Sequence, residues 1–198
     1  MKRLFGIILL SFGVLTFLTT LAIALGHEQT QAMFIPELQR CDDLVCYLGI
    51  VPGTTAWEQG MTIIRQTPQL KISAYPPMLL RRNPDYTIGF LPRNKDNNNT
   101  YPLVVGEINI GIDGPIYAAD AIIKFGPPCF VLAFDDELGL GYPNAIFSLT
   151  VGNNTLAPDS RIKHILLRQA STNDPCATLS SSSGPATYRW QGFRSYPK

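Results

Sequence analysis

The chain has 198 residues, with 16 Lys and Arg against 15 Asp and Glu, and only 16% of its positions are charged, below the roughly 25% usual for soluble domains. Leaving out residues 1–26 removes two basic residues, Lys2 and Arg3, so that 14 basic residues face 15 acidic ones. A near-neutral body excludes electrostatic capture of nucleic acid as the main activity, so we expect no nucleic-acid partner.

The N-terminus is a long uncharged segment behind two basic residues. Leu4–Gly26 contains no charged residue, and its length fits a membrane-spanning helix of about 20 residues better than a signal h-region of about 7–15. Lys2 and Arg3 would keep the N-terminus in the cytoplasm and place residues 27–198 outside. We therefore expect a single-pass cell-membrane protein. Ala22-Ile23-Ala24 also suits a signal peptidase, which would give a secreted protein instead.

Export changes the interpretation of the four cysteines, because thiols outside the cytoplasm are usually oxidised. The candidates for two disulfides are Cys41, Cys46, Cys129 and Cys176. The first two are close enough in sequence to close a small loop, and the other two would then fasten the C-terminal tail, although three pairings are possible. No C-x-x-C motif is present and neither histidine is near a cysteine in sequence, so we expect no metal and no cofactor.

Two helices are predicted. Thr55 and Glu58 have the spacing of a capping box, and Trp57, Met61 and Ile64 form one apolar face, which predicts a helix over about 55–66 with Trp57 in the core. For the second helix, Pro115 is expected at the first helical position and the Gly126-Pro127-Pro128 group ends it. The apolar stripe of this second helix contains Ala118, Ala121, Ile122 and Phe125.

Apolar runs between turn residues predict five or six strands. The stronger strands are Tyr101–Ile112, Cys129–Phe134, Ala145–Val151 and Ile162–Leu167, and the weaker ones are Leu70–Ala74 and Thr87–Leu91. Asn94–Thr100 and Asp135–Tyr142 are expected to be exposed hairpin loops. The predicted fold class is α+β, with two helices packed on a mostly antiparallel sheet.

The predicted organisation has four parts. Residues 1–26 are the anchor or signal peptide, 27–40 a juxtamembrane spacer, 41–170 the extracytoplasmic domain and 171–198 a Ser-rich and aromatic tail. Within the domain, Ile63-Ile64-Arg65 before Pro68 matches Ile122-Ile123-Lys124 before Pro127 at an offset of 59 residues. Such an offset indicates a duplicated helix–strand unit, with chance similarity as the alternative.

A Gly-x-Thr turn that opens a helix ending before Pro and a strand resembles the small outer-membrane lipoprotein of the barrel-assembly machinery. It is also similar to the β-lactamase-inhibitor-protein fold. The matching positions are Gly53-Thr54-Thr55 in the first unit and Gly126-Pro127-Pro128 in the second. The first unit lacks the Gly before Pro68, the second lacks the Thr after Gly114, and the lipid-attachment Cys is missing. The resemblance covers roughly 40 residues and implies a fold rather than an activity.

A second resemblance is to uncharacterised exported bacterial proteins. It is carried by the segment from Cys46 to Trp57, together with Cys41, and by Trp190-Gln191-Gly192-Phe193 near the end of the chain. It implies export, but no activity.

Few residues suggest chemistry. Asp135-Asp136-Glu137 is best explained as a solvated turn, with a weak calcium site as the alternative. His164 is predicted to share a strand face with Ile162 and Leu166, as a partly buried or edge-strand histidine. Nucleophile, zinc-protease and phosphate-loop motifs are absent from the sequence, so we assign no catalytic residue.

The C-terminal tail alternates aromatic and Arg residues. Its candidate partner-binding residues are Tyr188, Trp190, Phe193 and Tyr196, since aromatic and Arg side chains are enriched at binding hot spots. The favoured alternative is a last strand that folds back onto its own domain. These observations together predict a membrane-tethered, non-enzymatic binding or structural domain with an envelope protein or glycan as partner. An envelope-assembly accessory protein or, less favoured, an exported hydrolase are the alternatives.

Overall fold

The structure is a computed structural model that describes residues 13–20, 34–68, 70–73, 79–83, 86–94, 103–134, 137–151, 155–170, 176 and 186–196. The chain divides into two compact regions, Met1–Phe34 and Ile35–Lys198, and we call the second the body. In the N-terminal region, residues 13–20 form helix α1. Within the described residues, no helix combines the length and the hydropathy needed to cross a membrane. Most of the predicted 1–26 segment lies outside the described residues.

The described part of the body contains two helices and eleven strands. The helices are α2 (Trp57–Gln66) and α3 (Ala118–Phe125). The strands are β1 (Leu38–Cys41), β2 (Leu44–Tyr47), β3 (Lys71–Ser73), β4 (Leu79–Asn83), β5 (Tyr86–Asn94), β6 (Leu103–Ile112), β7 (Phe130–Ala133), β8 (Glu137–Gly141), β9 (Ala145–Thr150), β10 (Arg161–Arg168) and β11 (Ala186–Arg189).

The strands of the body pair antiparallel throughout. Among the described residues they form a β1–β2 hairpin and a nine-stranded sheet in the order β11-β7-β8-β9-β10-β6-β5-β4-β3. The predicted α+β class is therefore confirmed, and all six predicted strands are present. The extra strands are the hairpin, β4, β8 and β11.

Both helices pack on the same face of the large sheet. The Cα of Gly60 in α2 lies so close to β6 that an added Cβ would stand 2.8 Å from Cγ2 of Val105. In α3, the ring of Phe125 lies 5.7 Å from that of Phe147 on β9. Gly60 has no side chain and therefore permits close approach of helix and sheet. The core therefore lies between the helices and this face of the sheet.

The start of each helix differs from the prediction. The capping box is wrong, because α2 begins at Trp57 and the Thr55 hydroxyl accepts a hydrogen bond from the backbone N–H of Val51 (2.9 Å). Trp57 is only half-buried, while Met61 and Ile64 are buried as expected. Pro115 lies outside α3, which begins three residues later.

The residues just before α3 pair with the sheet instead of joining the helix. Tyr117 forms an antiparallel bridge with Arg161, and the N–H of Ile162 donates to the carbonyl of Ile116 (2.8 Å). The end of α3 is as predicted, because Gly126 adopts a positive φ of 83° and its N–H donates to the carbonyl of Ile122.

The body begins at Ile35 rather than at Cys41, so the predicted 27–40 spacer is too long. Ile35 and Leu38 are buried. The hairpin is attached to the rest of the body by Asn144, whose side-chain amide accepts from the N–H of Val45 and donates to its carbonyl, both at 2.8 Å. Lys124 Nζ donates to the carbonyl of Ile35 at 3.1 Å. Burial lowers the pKa of Lys124, and the nearby Glu37 carboxylate opposes that effect.

The prediction of a loop over Asp135–Tyr142 is wrong for most of its length, because Glu137–Gly141 is β8, in the interior of the sheet. Gly141 in this strand is needed for packing. A Cβ at this position would fall 2.0–2.4 Å from ring atoms of Phe130 on β7. The aromatic ring of one strand thus occupies the side-chain space of the next.

The body repeats one supersecondary unit. Unit one consists of α2 followed by β3, β4, β5 and β6, and unit two consists of α3 followed by β7, β8, β9 and β10. The two units meet where their last strands, β6 and β10, pair. Because α3 has eight residues and α2 has ten, the helix starts are 61 positions apart and the helix ends are 59 apart. The offset predicted from the sequence is the one at the helix ends.

The register of the central strands shows the repeat most clearly. The last strand of each unit contains one unpaired residue that forms a bulge. These residues are Gly106 in β6 and Lys163 in β10, 57 positions apart. The same offset relates Glu107 to His164 and Gly111 to Arg168, so the cross-strand pairs Glu107–Arg168 and Gly111–His164 are equivalent. It also relates Asn109 to Leu166, and these two residues pair with each other. A pseudo-two-fold axis therefore passes through the Asn109–Leu166 pair.

Candidate binding face

The face of the sheet opposite the helices is exposed over its central strands. On β6 and β10, buried residues alternate with half-buried or exposed ones, as expected for strands with one face in the core. Where these two strands pair with each other, the residues on the solvent side are Glu107, Asn109, Gly111, His164, Leu166 and Arg168. We call this side of the sheet the open face.

The bulge at Lys163 changes the face on which His164 lies. Simple alternation placed His164 with Ile162, which is wrong, because the extra residue shifts the pattern by one position. The core face of β10 instead carries Ile162, Ile165 and Leu167, all 0% exposed. His164 is exposed at the centre of the sheet, and is neither partly buried nor on an edge strand.

Four residues on adjacent strands form what we call the histidine row. Ser148 on β9 pairs with His164, His164 pairs with Gly111, and Gly111 pairs with Thr87 on β5. An added Cβ on Gly111 would lie 2.8 Å from Oγ1 of Thr87 and 3.6 Å from Cε1 of His164. Glycine therefore lets the hydroxyl and the imidazole converge over the strand between them.

The corresponding residues on the other side of the pseudo-two-fold axis form the arginine row: Leu91, Glu107 and Arg168. Burial lowers the pKa of Arg168, and the Glu107 carboxylate opposes that effect. The two opposite charges of this row face each other across β6 and β10, which is a favourable cross-strand arrangement. The Glu107 carboxylate therefore offsets part of the positive charge of Arg168 on this face.

Beyond the histidine row, the open face is covered by its own side chains. Phe130, Leu132 and Ile146 form a small buried cluster there, against which Cys129 packs. Cys129 is bonded to Cys176. The disulfide thus fastens the chain that follows β10 beside this cluster. Among the strands whose side chains are described, the open face is accessible over β5, β6 and β10.

The second disulfide joins Cys41 to Cys46 across the β1–β2 hairpin. The two cysteine pairs agree with the predicted disulfide bonds, and the structure selects one of the three possible pairings. Structural disulfides form in oxidising compartments. The body therefore belongs to an oxidising location, either extracytoplasmic or secreted.

The C-terminal aromatic residues are mainly used within the body. β11 pairs with β7, and Tyr196 is 2% exposed, with its hydroxyl donating to the carbonyl of Gly192 at 2.9 Å. Tyr188 packs against Tyr196 with ring centroids 5.9 Å apart. Trp190 and Phe193 form an edge-to-face pair at 5.7 Å, and Phe193 remains 40% exposed. Of the four predicted partner-binding residues, Phe193 is the one left well exposed.

Other candidate chemistry finds little support in the described residues. Asp135 and Asp136 of the predicted acidic turn lie outside them, and Glu137 is half-buried at the start of β8. No three His, Cys, Asp or Glu residues in the described segments are placed to hold a metal ion.

Membership of Thr87, Ser148, Glu107 and Arg168 in one surface was not predicted. The alternation Glu107-Ile108-Asn109-Ile110-Gly111-Ile112 is the signal that would have revealed it, because it is typical of a central strand with one polar face. Comparison with known proteins adds no further assignment: no family model, curated protein or solved structure matches this chain.

Proposed function

We propose that this protein is a non-enzymatic extracytoplasmic binding domain, tethered to the membrane by its N-terminal apolar segment, that binds its partner through the open face. The observation that carries the proposal is the exposure of Glu107 and His164 in the middle of a nine-stranded sheet. An antiparallel sheet can pack one face on the core and leave the other solvated. The polar side chains on the solvated face are not needed for the core, so this face is available for recognition.

The tether is supported by the chemistry of α1. Its residues Val14, Leu15, Phe17 and Leu18 are 53–66% exposed. Its threonine hydroxyls donate to backbone carbonyls of the preceding turn, for example Thr20 to Thr16 at 3.0 Å. A helix with apolar side chains on its surface and internally bonded hydroxyls suits a lipid environment. Retention of the intact protein in carbonate-washed membranes is expected, and release of a mature protein that begins near His27 would instead favour secretion.

Photocrosslinking in an exporting host tests the binding proposal. A photoreactive amino acid is placed at His164 or Glu107 on the open face and, as a matched control, at Glu58 or Thr62 on the exposed surface of α2. Crosslinks to one partner from the open face but not from α2 are expected. Crosslinks that occur only from α2, or from neither surface, would contradict the proposal.

An envelope-assembly accessory role remains the second candidate, and a stable membrane-protein partner in these crosslinks would favour it. A hydrolase is the less favoured candidate, supported by Ser148 standing directly opposite His164. A nucleophilic serine needs a hydrogen-bonded base that is in turn oriented by a third group. Within the described residues His164 makes no such bond. Turnover of a substrate panel that is lost in both Ser148→Ala and His164→Ala would revive the hydrolase candidate.

A further inference from the structure

The C-terminal aromatic residues form a surface away from the accessible part of the open face. Strand β11 is an edge strand, and β7, β8 and β9 lie between it and β10. After β11 the chain turns over residues 190–196, which we call the aromatic turn, and brings the ring of Tyr196 back beside that of Tyr188, with centroids 5.9 Å apart. The hydroxyl of Tyr196 closes this turn, since it donates to the carbonyl of Gly192 at 2.9 Å and accepts from the N–H of Gln191 at 3.3 Å.

The aromatic turn is fastened to the rest of the body. The N–H of Leu156 donates to the carbonyl of Arg194 at 2.9 Å, and the hydroxyls of Thr155 and Ser195 are hydrogen-bonded at 2.9 Å. Tyr196 adds a buried anchor, because only 2% of its surface is exposed. The side chains that the turn exposes are therefore a fixed part of the surface of the body.

These exposed side chains combine an aromatic pair with positive charge. The rings of Trp190 and Phe193 meet edge to face at 5.7 Å, and Phe193 is 40% exposed. Arg189 and Arg194 flank the pair in sequence and are exposed. Residues 175–198 contain no Asp or Glu, so this end of a nearly neutral chain is basic and attracts a partner of negative charge.

Aromatic and arginine side chains together suit two kinds of partner, a protein and the surface of an anionic lipid bilayer. Stable protein interfaces bury about 800 Å² on each partner, and a turn with one well exposed aromatic ring provides only a small part of that area. A lipid contact needs no such area when the protein is already tethered, because the tether makes the effective concentration of the second contact high. The size and the charge of the turn therefore favour the lipid surface.

Resting on the proposed membrane tether, we infer that the aromatic turn is a second contact with the membrane, directed at anionic lipid. The rings of Phe193 and Trp190 enter the headgroup region, where aromatic side chains are enriched. The guanidinium groups of Arg189 and Arg194 pair with lipid phosphates. This contact leaves the accessible part of the open face free for the partner of the binding domain.

Tryptophan fluorescence of the full-length protein in lipid nanodiscs tests the inference. The chain has two tryptophans, Trp57 and Trp190, so Trp57→Phe leaves Trp190 as the sole reporter. Trp190→Phe leaves Trp57, which is half-buried on α2, as the matched control. The discs contain phosphatidylglycerol and a phosphatidylcholine brominated in its acyl chains, and the bromine atoms quench only tryptophans that reach the bilayer. We expect strong quenching of Trp190 and little of Trp57.

Further variants, made with Trp190 as the sole reporter, locate the contact. Phe193→Ser and the double variant Arg189→Gln/Arg194→Gln should each lower the quenching. The double variant should have no effect in discs without phosphatidylglycerol, because these lack the anionic headgroup that attracts the two arginines. Arg65→Gln, at an exposed arginine of α2, is the control and should leave the quenching unchanged. An unchanged urea midpoint shows that each variant is still folded.

Quenching of Trp190 that is no stronger than that of Trp57 would overturn the inference. Quenching that depends neither on phosphatidylglycerol nor on the arginines would overturn the assignment to anionic lipid. Failure of the proposed tether gives a different result. If the protein enters the discs and resists carbonate washing while Trp190 is not quenched, the tether stands and only this inference falls. If carbonate releases the intact protein, the tether and the second contact fall together.

Discussion

Unit one and unit two share a strand register but differ in their surface residues. The difference shows which side chains the packing of the core constrains and which it does not. On the core face, Phe90 corresponds to Phe147 and Ile108 to Ile165, each pair 57 positions apart and all 0% exposed. On the open face, Glu107 corresponds to His164. Close-packed interiors constrain side-chain volume, whereas an exposed face accepts other chemistry without loss of the fold.

The two units also differ in how the rest of the chain is fastened to them. Unit two holds the hairpin through Asn144 and the C-terminal chain through the Cys129–Cys176 disulfide. The residue of unit one that corresponds to Asn144 is Thr87, and among the described residues its side chain makes no hydrogen bond to the hairpin. The side-chain hydrogen bonds of Asn144 and the long-range disulfide both lie in unit two, so variants that remove them should cost more stability than changes at the equivalent positions of unit one.

The largest expected effects are those of the two equivalent phenylalanines. Phe90→Ala should cost about 4 kcal/mol of unfolding free energy, because the side chain is fully buried. Phe147→Ala should cost about 5 kcal/mol, since Phe147 is equally buried and packs on the rings of Phe125 and Tyr142, whereas Phe90 packs on that of Tyr47. Urea unfolding at constant m-value measures the difference. A larger loss for Phe90→Ala would contradict the expected order.

Next in size are the disulfides. Their sequence separations are 47 residues for Cys129–Cys176 and 5 for Cys41–Cys46. If constraint of the unfolded chain dominates, replacing both cysteines by Ala should cost about 4 kcal/mol for the long loop and about 2 kcal/mol for the short one. The urea midpoints of the two double variants give the comparison. The reverse order would mean that the hairpin depends on its disulfide for local structure.

A smaller effect is expected at Asn144. Asn144→Ala leaves the buried N–H and carbonyl of Val45 without their partner, which should cost about 2–3 kcal/mol. Thr87→Ala, at the equivalent position of unit one, should cost less than about 0.5 kcal/mol. Faster amide exchange in β2 of Asn144→Ala would identify the detached hairpin. Equal stability losses in the two variants would contradict the assigned role of Asn144.

The smallest effect depends on pH. Burial raises the pKa of Tyr142 above its ordinary value, and its hydroxyl donates to the carbonyl of Gly126 at 3.1 Å. Because the folded state holds this proton more tightly, the contribution of Tyr142 is complete below pH about 10 and is lost as the pH rises above it. Tyr142→Phe should therefore cost about 1 kcal/mol at pH 7 and flatten the alkaline loss of stability.

Urea midpoints at pH 7, 9 and 10.5 test this sign, with Tyr117→Phe as a control at an exposed tyrosine. If the stability difference between the unchanged protein and Tyr142→Phe were the same at pH 7 and at pH 10.5, the link to the Tyr142 proton would be contradicted.

Local patterns in the sequence were sufficient for many elements. The β-branched and aromatic runs predicted β6, β7, β9 and β10, and Gly126 predicted the end of α3, because these signals depend on neighbouring residues alone. The repeat was visible as Ile-Ile-basic-x-x-Pro, since the matched residues occupy the last turns of the two helices. The export signal together with four cysteines predicted two disulfides but not their pairing.

Long-range contacts determined the rest. β8 was missed because its glycines have a purpose only once the ring of Phe130 is placed beside Gly141. The face of His164 was misassigned because the bulge at Lys163 arises from pairing with β9.

The open face likewise emerges only when β5, β6, β9 and β10 lie side by side, since residues from 87 to 164 are then brought into one row. The sequence alone determined which segments are apolar and where the chain turns, because those properties are local. Only the tertiary structure decided which polar residues meet, because strand register joins positions that are far apart in the chain.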